Sequence, residues 1–204
     1  MPDLLFATTN QNKAREVRAE FAQAGLDINL LTTAEIPDAP EVEETGTTFQ
    51  ENATLKAHAL AAFSGLPTLA DDSGLTVDYL HGAPGVHSAR YAKDHDDAAN
   101  NAKLLAELAG VPLAKRTASF HTVMVVSWPN RFADDLVVEG ACPGLIAEKL
   151  TGPQTFGYDP LFYLPELGKT FAQLTTAQKN ALSHRGRALQ KLLKELPAWW
   201  QQFK

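Results

Sequence analysis

Leu69-Ala70-Asp71-Asp72-Ser73-Gly74-Leu75 is the stretch on which the reading of this 204-residue chain turns. Two adjacent carboxylates stand between a short apolar run (Leu66, Leu69, Ala70) and a Ser-Gly pair, and Thr76 and Val77 then resume a strand-like pattern. Neighbouring side chains on an extended strand point to opposite faces, so Asp71 and Asp72 share one site only if the chain turns there. Gly74 supplies the backbone freedom for such a turn. Carboxylates held side by side repel, and a raised pKa or a bound cation resolves the repulsion. The pair is therefore a candidate for Mg²⁺ binding or for general-base work. The plain alternative is a solvated acidic loop.

Upstream, Leu4-Leu5-Phe6-Ala7 has the pattern of a short buried strand. It runs into Thr8-Thr9-Asn10, and a helix follows from about Asn12, with Val17, Phe21 and Ala24 apolar and Gly25 as its stop. Thr9 or Asn10 is its expected cap. A strand, a polar turn and a helix N-terminus in this order favour an anion at the exposed N–H groups. Lys13 falls in the first turn, where a cation is mildly unfavourable for the helix and where a bound phosphate would account for it. Simple exposure of Lys13 is the alternative. No Gly-x4-Gly-Lys-Ser/Thr pattern occurs, so a P-loop is excluded.

Leu26 to Thr32 reads as a second strand, Pro37-Asp38-Ala39-Pro40 as a break, and Glu41, Glu43 and Glu44 as an acidic loop. Thr48-Phe49-Gln50-Glu51 is a capping box that opens a helix to about Phe63, ended by Gly65 and Pro67. Phe49, Ala53, Ala57, Leu60 and Ala61 form its buried side, and Asn52 and Lys56, one turn apart, present a polar pair just before the Asp-Asp stretch.

Downstream, Gly82-Ala83-Pro84-Gly85 and His87 to Tyr91 form a polar loop of the kind that carries function. Asp96 to Ala109 is a helix with Leu104, Leu105 and Leu108 inward. Ala118 to Trp128 is the clearest strand, and Leu136 to Ala141 is its expected antiparallel partner. Thr155 to Phe162 sets two aromatics around a glycine and then Asp-Pro, a loop on which a flat base can stack. Phe156 and Phe162 as core residues, with Asp159 capping a turn, is the other reading. Ser183 caps a final helix with Leu189, Leu192, Leu193 and Leu196 inward and Pro197 ending it, and His184, Arg185 and Arg187 crowd its first turn. The pair Trp199-Trp200 is expected to pack on the core or on a partner subunit.

Composition bounds the function classes. A net charge of -6 and a pI near 5.5 argue against a nucleic-acid polymer as partner. A small polyanion remains open, because one metal and a few lysines suffice for it. The single cysteine, Cys142, excludes an internal disulfide and fits a reducing compartment. Met1-Pro2-Asp3 opens without a basic segment and signal-type apolar run, and no apolar stretch reaches membrane-spanning length. The expectation is a soluble cytoplasmic protein with no membrane partner.

In this order the motifs resemble the inosine triphosphate pyrophosphatase family, most closely its bacterial RdgB-like branch that removes non-standard purine nucleotides. The resemblance runs through Ala7-Thr8-Thr9-Asn10-Gln11-Asn12-Lys13, Glu43 to Phe49, Glu51-Asn52-Ala53 with Lys56, and Ala70 to Leu75. It continues through Gly82 to Gly85, Ser88 to Tyr91, Phe156-Gly157-Tyr158-Asp159-Pro160 and Ser183-His184-Arg185-Gly186. Each motif alone is weak, and the series is specific.

The resemblance implies an α/β fold: an elongated, two-lobed, mixed-sheet single domain over residues 1–204, with its active site in the cleft between the lobes. It also implies Mg²⁺ dependence, a homodimer, and hydrolysis of a purine nucleoside triphosphate between the α and β phosphates. Carried over by position, Thr8, Thr9, Asn10, Gln11, Asn12 and Lys13 bind the triphosphate, with Lys56 reaching it from the following helix. Glu44 and Asp72 hold the metal, with Asp71 and Glu43 left open as helpers, and Asp72 accepts a proton from the attacking water. Ser73 contacts the substrate, while Phe156, Gly157, Tyr158, Asp159, Lys179, His184 and Arg185 form the base side. Gly152-Pro153-Gln154-Thr155 departs from the family pattern, which typically has glycine directly before the phenylalanine, so a stiffer base loop is expected. The competing readings are a pyrophosphatase for other modified nucleotides, a different phosphohydrolase acting on modified pyrimidine triphosphates or sugar phosphates, a nucleotide sensor without turnover, and an interaction module built on Trp199-Trp200.

Overall fold

A computed structural model describes residues 2–153 and 156–203. The strand order in its seven-stranded mixed sheet is β2-β1-β3-β4-β5-β6-β7. The chain divides into two compact units, Met1–Asp72 with Val123–Glu139 and Ala188–Lys204, and Ser73–Thr122 with Gly140–Arg187.

In the first unit, β1 (Asp3–Phe6) pairs in parallel with β2 (Asn29–Thr32) and with the start of β3 (Thr68–Val77). Parallel neighbours need crossovers, and α1 (Gln11–Gln23) and α2 (Phe49–Ser64) supply them. Asn10 is the cap of α1, its Oδ1 accepting the Lys13 N–H at 3.2 Å. On α2 the capping box forms as expected, Thr48 accepting from Glu51 N–H and Glu51 reaching back to the Thr48 N–H.

Alternation along β3 sorts its residues between two packed layers. Leu69 joins Leu4, Phe6, Val17 and Phe21 beside Met124 and Val126, while Ala70 joins Ala53 and Ala57 beside Val123 and Val125. The expected turn at Asp71 to Gly74 does not occur, and the strand runs straight through both carboxylates. Its neighbours β1 and β4 (Thr117–Ser127) lie on either side. A turn there would strip buried peptide groups of their ladder partners, which outweighs the local turn signal of Ser-Gly.

Two further boundaries differ. The second strand begins at Asn29 rather than Leu26. The last helix, α5 (His184–Gln201), passes through Pro197 instead of stopping there. A proline in a helix forfeits one hydrogen bond, but the next turn is anchored by Trp199 and Trp200, both buried in the core, and by Trp199 Nε1 donating to Asp134 O at 2.6 Å.

In the second unit, α3 (Asp97–Glu107) is capped by Asp96, and its Leu104 packs with Leu108, Leu75, Phe120, Phe162 and Phe171. Strand β5 (Leu136–Ile146) extends past the expected Ala141; it lies antiparallel to its neighbour β4, since Ile146 N–H donates to Arg116 O at 2.9 Å while Ser119 Oγ donates to Cys142 O at 3.2 Å, one position rising as the other falls. β6 (Phe162–Leu164) and β7 (Lys169–Thr170) continue the sheet in antiparallel fashion. Phe162 is fully buried, and Cys142 is buried as well. Between α4 (Thr176–Leu182) and α5, Ser183 Oγ accepts the Gly186 N–H at 3.1 Å, and a side chain at Gly186 would collide with the Asn180 carbonyl.

Candidate active site

The polar turn after β1 folds on itself. Thr8 Oγ1 accepts the Asn10 N–H at 3.1 Å and Thr8 O accepts the Thr33 hydroxyl at 2.9 Å, so the entry to α1 is fixed by its own short side chains. Thr9 and Gln11 stand exposed beside it. The side chain of Asn12 lies outside the described residues.

Lys13 Nζ, from the first turn of α1, reaches both Asp71 oxygens at 3.2 and 2.8 Å. Lys56 Nζ, from α2, donates to Glu44 Oε1 at 2.6 Å and to Asp71 O at 2.7 Å. Asn52, one turn before Lys56, donates from Nδ2 to Asp72 Oδ2 at 3.1 Å. The straight strand thus hands its carboxylates to different helices, Asp71 to α1 and Asp72 to α2. Ion pairs join Lys13 to Asp71 and Lys56 to Glu44, Lys56 also meets the Asp71 carbonyl, and Asp72 is held by Asn52, although the turn expected to join the two aspartates is absent. Asp71 is engaged by Lys13, and Glu43 is exposed. Ser73 shares a 2.7 Å hydroxyl contact with Thr122.

Among the described residues no group of three or more His, Cys, Asp or Glu side chains is placed to hold a metal ion. Mg²⁺ does not need one. It takes hard oxygen ligands, keeps several waters and binds through one or two carboxylates plus substrate phosphates. Glu44 and Asp72 fit that donor set.

In the second unit, Phe156 is 56% exposed, Tyr158 is buried with its hydroxyl donating to Ser88 O at 2.9 Å, and Asp159 is buried and ion-paired with Lys179. The Lys179 ammonium lies 5.7 Å from the Phe156 ring centre and equally far from that of Phe171. His184 stacks on Phe120 with ring centres 4.7 Å apart. Burial pushes the Asp159 carboxyl up, and the charges of Lys179 and Arg185 pull it partly back. An exposed Phe156 beside a cation offers an open aromatic face, whereas Phe162 belongs to the core. The expected stiffening of this loop rests on Pro153 and Thr155, and Thr155, like Gln154, lies outside the described residues.

Sequence reasoning missed the clamp on this loop. Asp97 Oδ2 accepts the Gly157 N–H at 2.7 Å, and Asn101 Nδ2 donates to Gly157 O at 2.8 Å, so α3 holds both polar groups of Gly157. Gly157 has a φ of 51°, a backbone conformation that favours glycine. In the loop at His87 to Tyr91, Ser88 Oγ accepts the Leu75 N–H at 2.9 Å, and the Tyr91 hydroxyl donates to Glu107.

The Ham1 family model matches residues 4–195, and the chain belongs to the Ham1 family. It is 61% identical over 202 residues to a dITP/XTP pyrophosphatase of Lactobacillus johnsonii, covering 98% of each chain. A dITP/XTP pyrophosphatase of Lactobacillus acidophilus is 55% identical over 96% of this chain and 97% of its own. Among solved structures, a HAM1 protein from Coxiella burnetii superposes with a TM-score of 0.91 at 40% identity, covering 97% of this chain and 100% of that one.

Proposed function

We propose that this chain hydrolyses non-standard purine nucleoside triphosphates, dITP or ITP and XTP or dXTP, to the monophosphate and pyrophosphate. What carries the reading is the charged group around β3, in a chain 61% identical to a dITP/XTP pyrophosphatase over 98% of its length. Lys13 and Lys56 bind the triphosphate and offset the charge that grows on the leaving pyrophosphate. Glu44 and Asp72 hold Mg²⁺, which when bound supplies Lewis-acid polarisation of phosphate oxygens. Asp72 accepts a proton from a water whose oxygen bonds to the α-phosphorus; the bond from that phosphorus to the α–β bridging oxygen breaks, and pyrophosphate leaves with the electron pair. General-base assistance of this kind contributes on the order of 10²–10⁴-fold.

Phe156 takes the purine face, and the segment to Asp159, with Lys179, His184 and Arg185, reads its edge. A donor aimed at the purine 6-position is satisfied by the oxygen of hypoxanthine or xanthine and opposed by the amino group of adenine. A site built on such hydrogen bonds rejects the wrong group by roughly 10⁴-fold. The reading extends to a cytoplasmic protein with no nucleic-acid or membrane partner, supported by the acidic balance and the single buried cysteine, and, from the family resemblance alone, to a homodimer. No helix among the described residues is long and apolar enough to cross a membrane.

The test is pyrophosphate release from dITP, XTP, dGTP and dATP, each with Mg²⁺ and with chelator. Fast, Mg²⁺-dependent release from dITP and XTP, well above the other two, is expected. Equal rates on all four would overturn the base reading, and no pyrophosphate from any would overturn the activity.

A further inference from the structure

Asn52 is fully buried on α2. A buried primary amide needs partners at both ends, and this one has them on different segments. Its Oδ1 accepts the Gly46 N–H at 2.8 Å, and its Nδ2 donates to Asp72 Oδ2 at 3.1 Å. The Gly46 N–H can only donate, so it fixes the orientation of the amide: nitrogen, not oxygen, faces the Asp72 carboxylate. The approach of the loop also depends on Gly46, where a Cβ would come within 2.7 Å of both Asn52 Oδ1 and Glu51 Cβ. Glu44 stands two residues before Gly46, and its carboxylate meets Lys56 one turn along the same helix.

We propose that Asn52 is a positioning residue for the hydrolysis, a single amide that holds the Asp72 carboxylate and the Glu44 segment in register. This rests on the reading of Asp72 as proton acceptor and of Glu44 and Asp72 as Mg²⁺ ligands. Donation to Oδ2 restrains rotation of the carboxylate and fixes which oxygen is presented for proton transfer. Acceptance from Gly46 fixes the loop that brings the second carboxylate. Loss of either bond lets the two ligands drift relative to each other, and groups that orient metal ligands in this way typically matter by 10–100-fold in metal affinity or activity.

Two full-length variants test it from opposite ends. Asn52→Leu keeps the approximate volume and removes both hydrogen bonds, whereas Gly46→Ala leaves the amide in place and pushes the loop off it. The readouts are kcat and KM for dITP, the half-saturating Mg²⁺ concentration, and the rise in melting temperature caused by Mg²⁺ without substrate. Both variants are expected to lose roughly 10–100-fold in kcat and to need roughly 10-fold more Mg²⁺, with KM for dITP nearly unchanged and a smaller Mg²⁺-induced rise in melting temperature. If Asn52→Leu fails to fold, Gly46→Ala carries the test alone. Wild-type kcat and Mg²⁺ response in a variant that merely melts earlier would overturn the proposal and leave Asn52 a packing residue. Absence of Mg²⁺-dependent pyrophosphate release from the wild type would instead sink the functional reading, and the proposal with it.

Discussion

Lys13 Nζ lies 2.8 Å from Asp71 Oδ2, the carboxylate 2% exposed and the lysine 23% exposed. A lysine in the first turn of a helix opposes the helix dipole, and here the carboxylate from β3 answers it. Removing the cation from a carboxylate this buried is costly, on the order of 3 kcal/mol. Lys13→Met is therefore expected to lower stability to urea by about that amount. The double mutant Lys13→Met with Asp71→Asn is expected to recover most of the stability, because no buried charge then lacks its opposite. It should not recover affinity for the triphosphate. If the two losses simply add, the contact is not the reason Lys13 matters to the fold.

Asp72 accepts a hydrogen bond from Asn52 through one oxygen, and an asparagine at position 72 retains a carbonyl that can do the same. Asp72→Asn is thus expected to melt near the wild-type temperature while kcat for dITP falls about 10²–10⁴-fold. Steady-state pyrophosphate release alongside thermal melting decides it. Turnover close to wild type would remove Asp72 from the proton-accepting role.

Capping by Thr48, and by Asn10 as one of two candidates, was legible in the sequence because a cap and the N–H it serves lie within one turn of chain. The pairing of Lys13 with Asp71 and of Lys56 with Glu44 was not legible, because each joins segments apart in sequence. A Ser-Gly pair after two aspartates has the local signature of a turn, whereas β3 is held straight by strands far from it in sequence. The same logic carries α5 past Pro197, where burial of Trp199 and Trp200 supplies what the proline removes. The Asn101 contact to Gly157 spans 56 residues, and no pattern around Asn101 announces it.

That contact has a kinetic consequence. With Asp97 and Asn101 gripping the two polar groups of Gly157, the exposed ring of Phe156 is held at a set height. Asn101→Ala is expected to raise KM for dITP and to narrow the preference for dITP over dATP, each roughly 10-fold, the cost of about one hydrogen bond to a loop that must then be ordered by substrate. Its kcat at saturation should change little, because the clamp touches neither lysine nor carboxylate of the phosphate group. Parallel kinetics on dITP and dATP measure both ratios. An unchanged preference would confine the clamp to loop stability.

Asp159 makes the sharpest prediction about pH. Burial pushes its carboxyl above the ordinary value of 3.8, and Lys179 only partly offsets this. An acid whose folded pKa is raised favours the fold in its protonated form. Its stabilising contribution is fully present below the unfolded pKa and is lost as pH rises through the folded pKa. At neutral pH the buried carboxylate is therefore a net cost that the ion pair with Lys179 does not fully repay. Asp159→Asn removes this titration. The stability of wild type minus that of the variant is expected to fall as pH rises from below 3.8 into the neutral range. Urea denaturation of both proteins across that range reads the difference directly. A difference that instead grows with pH would mean that Lys179 outweighs burial and that the folded pKa is depressed.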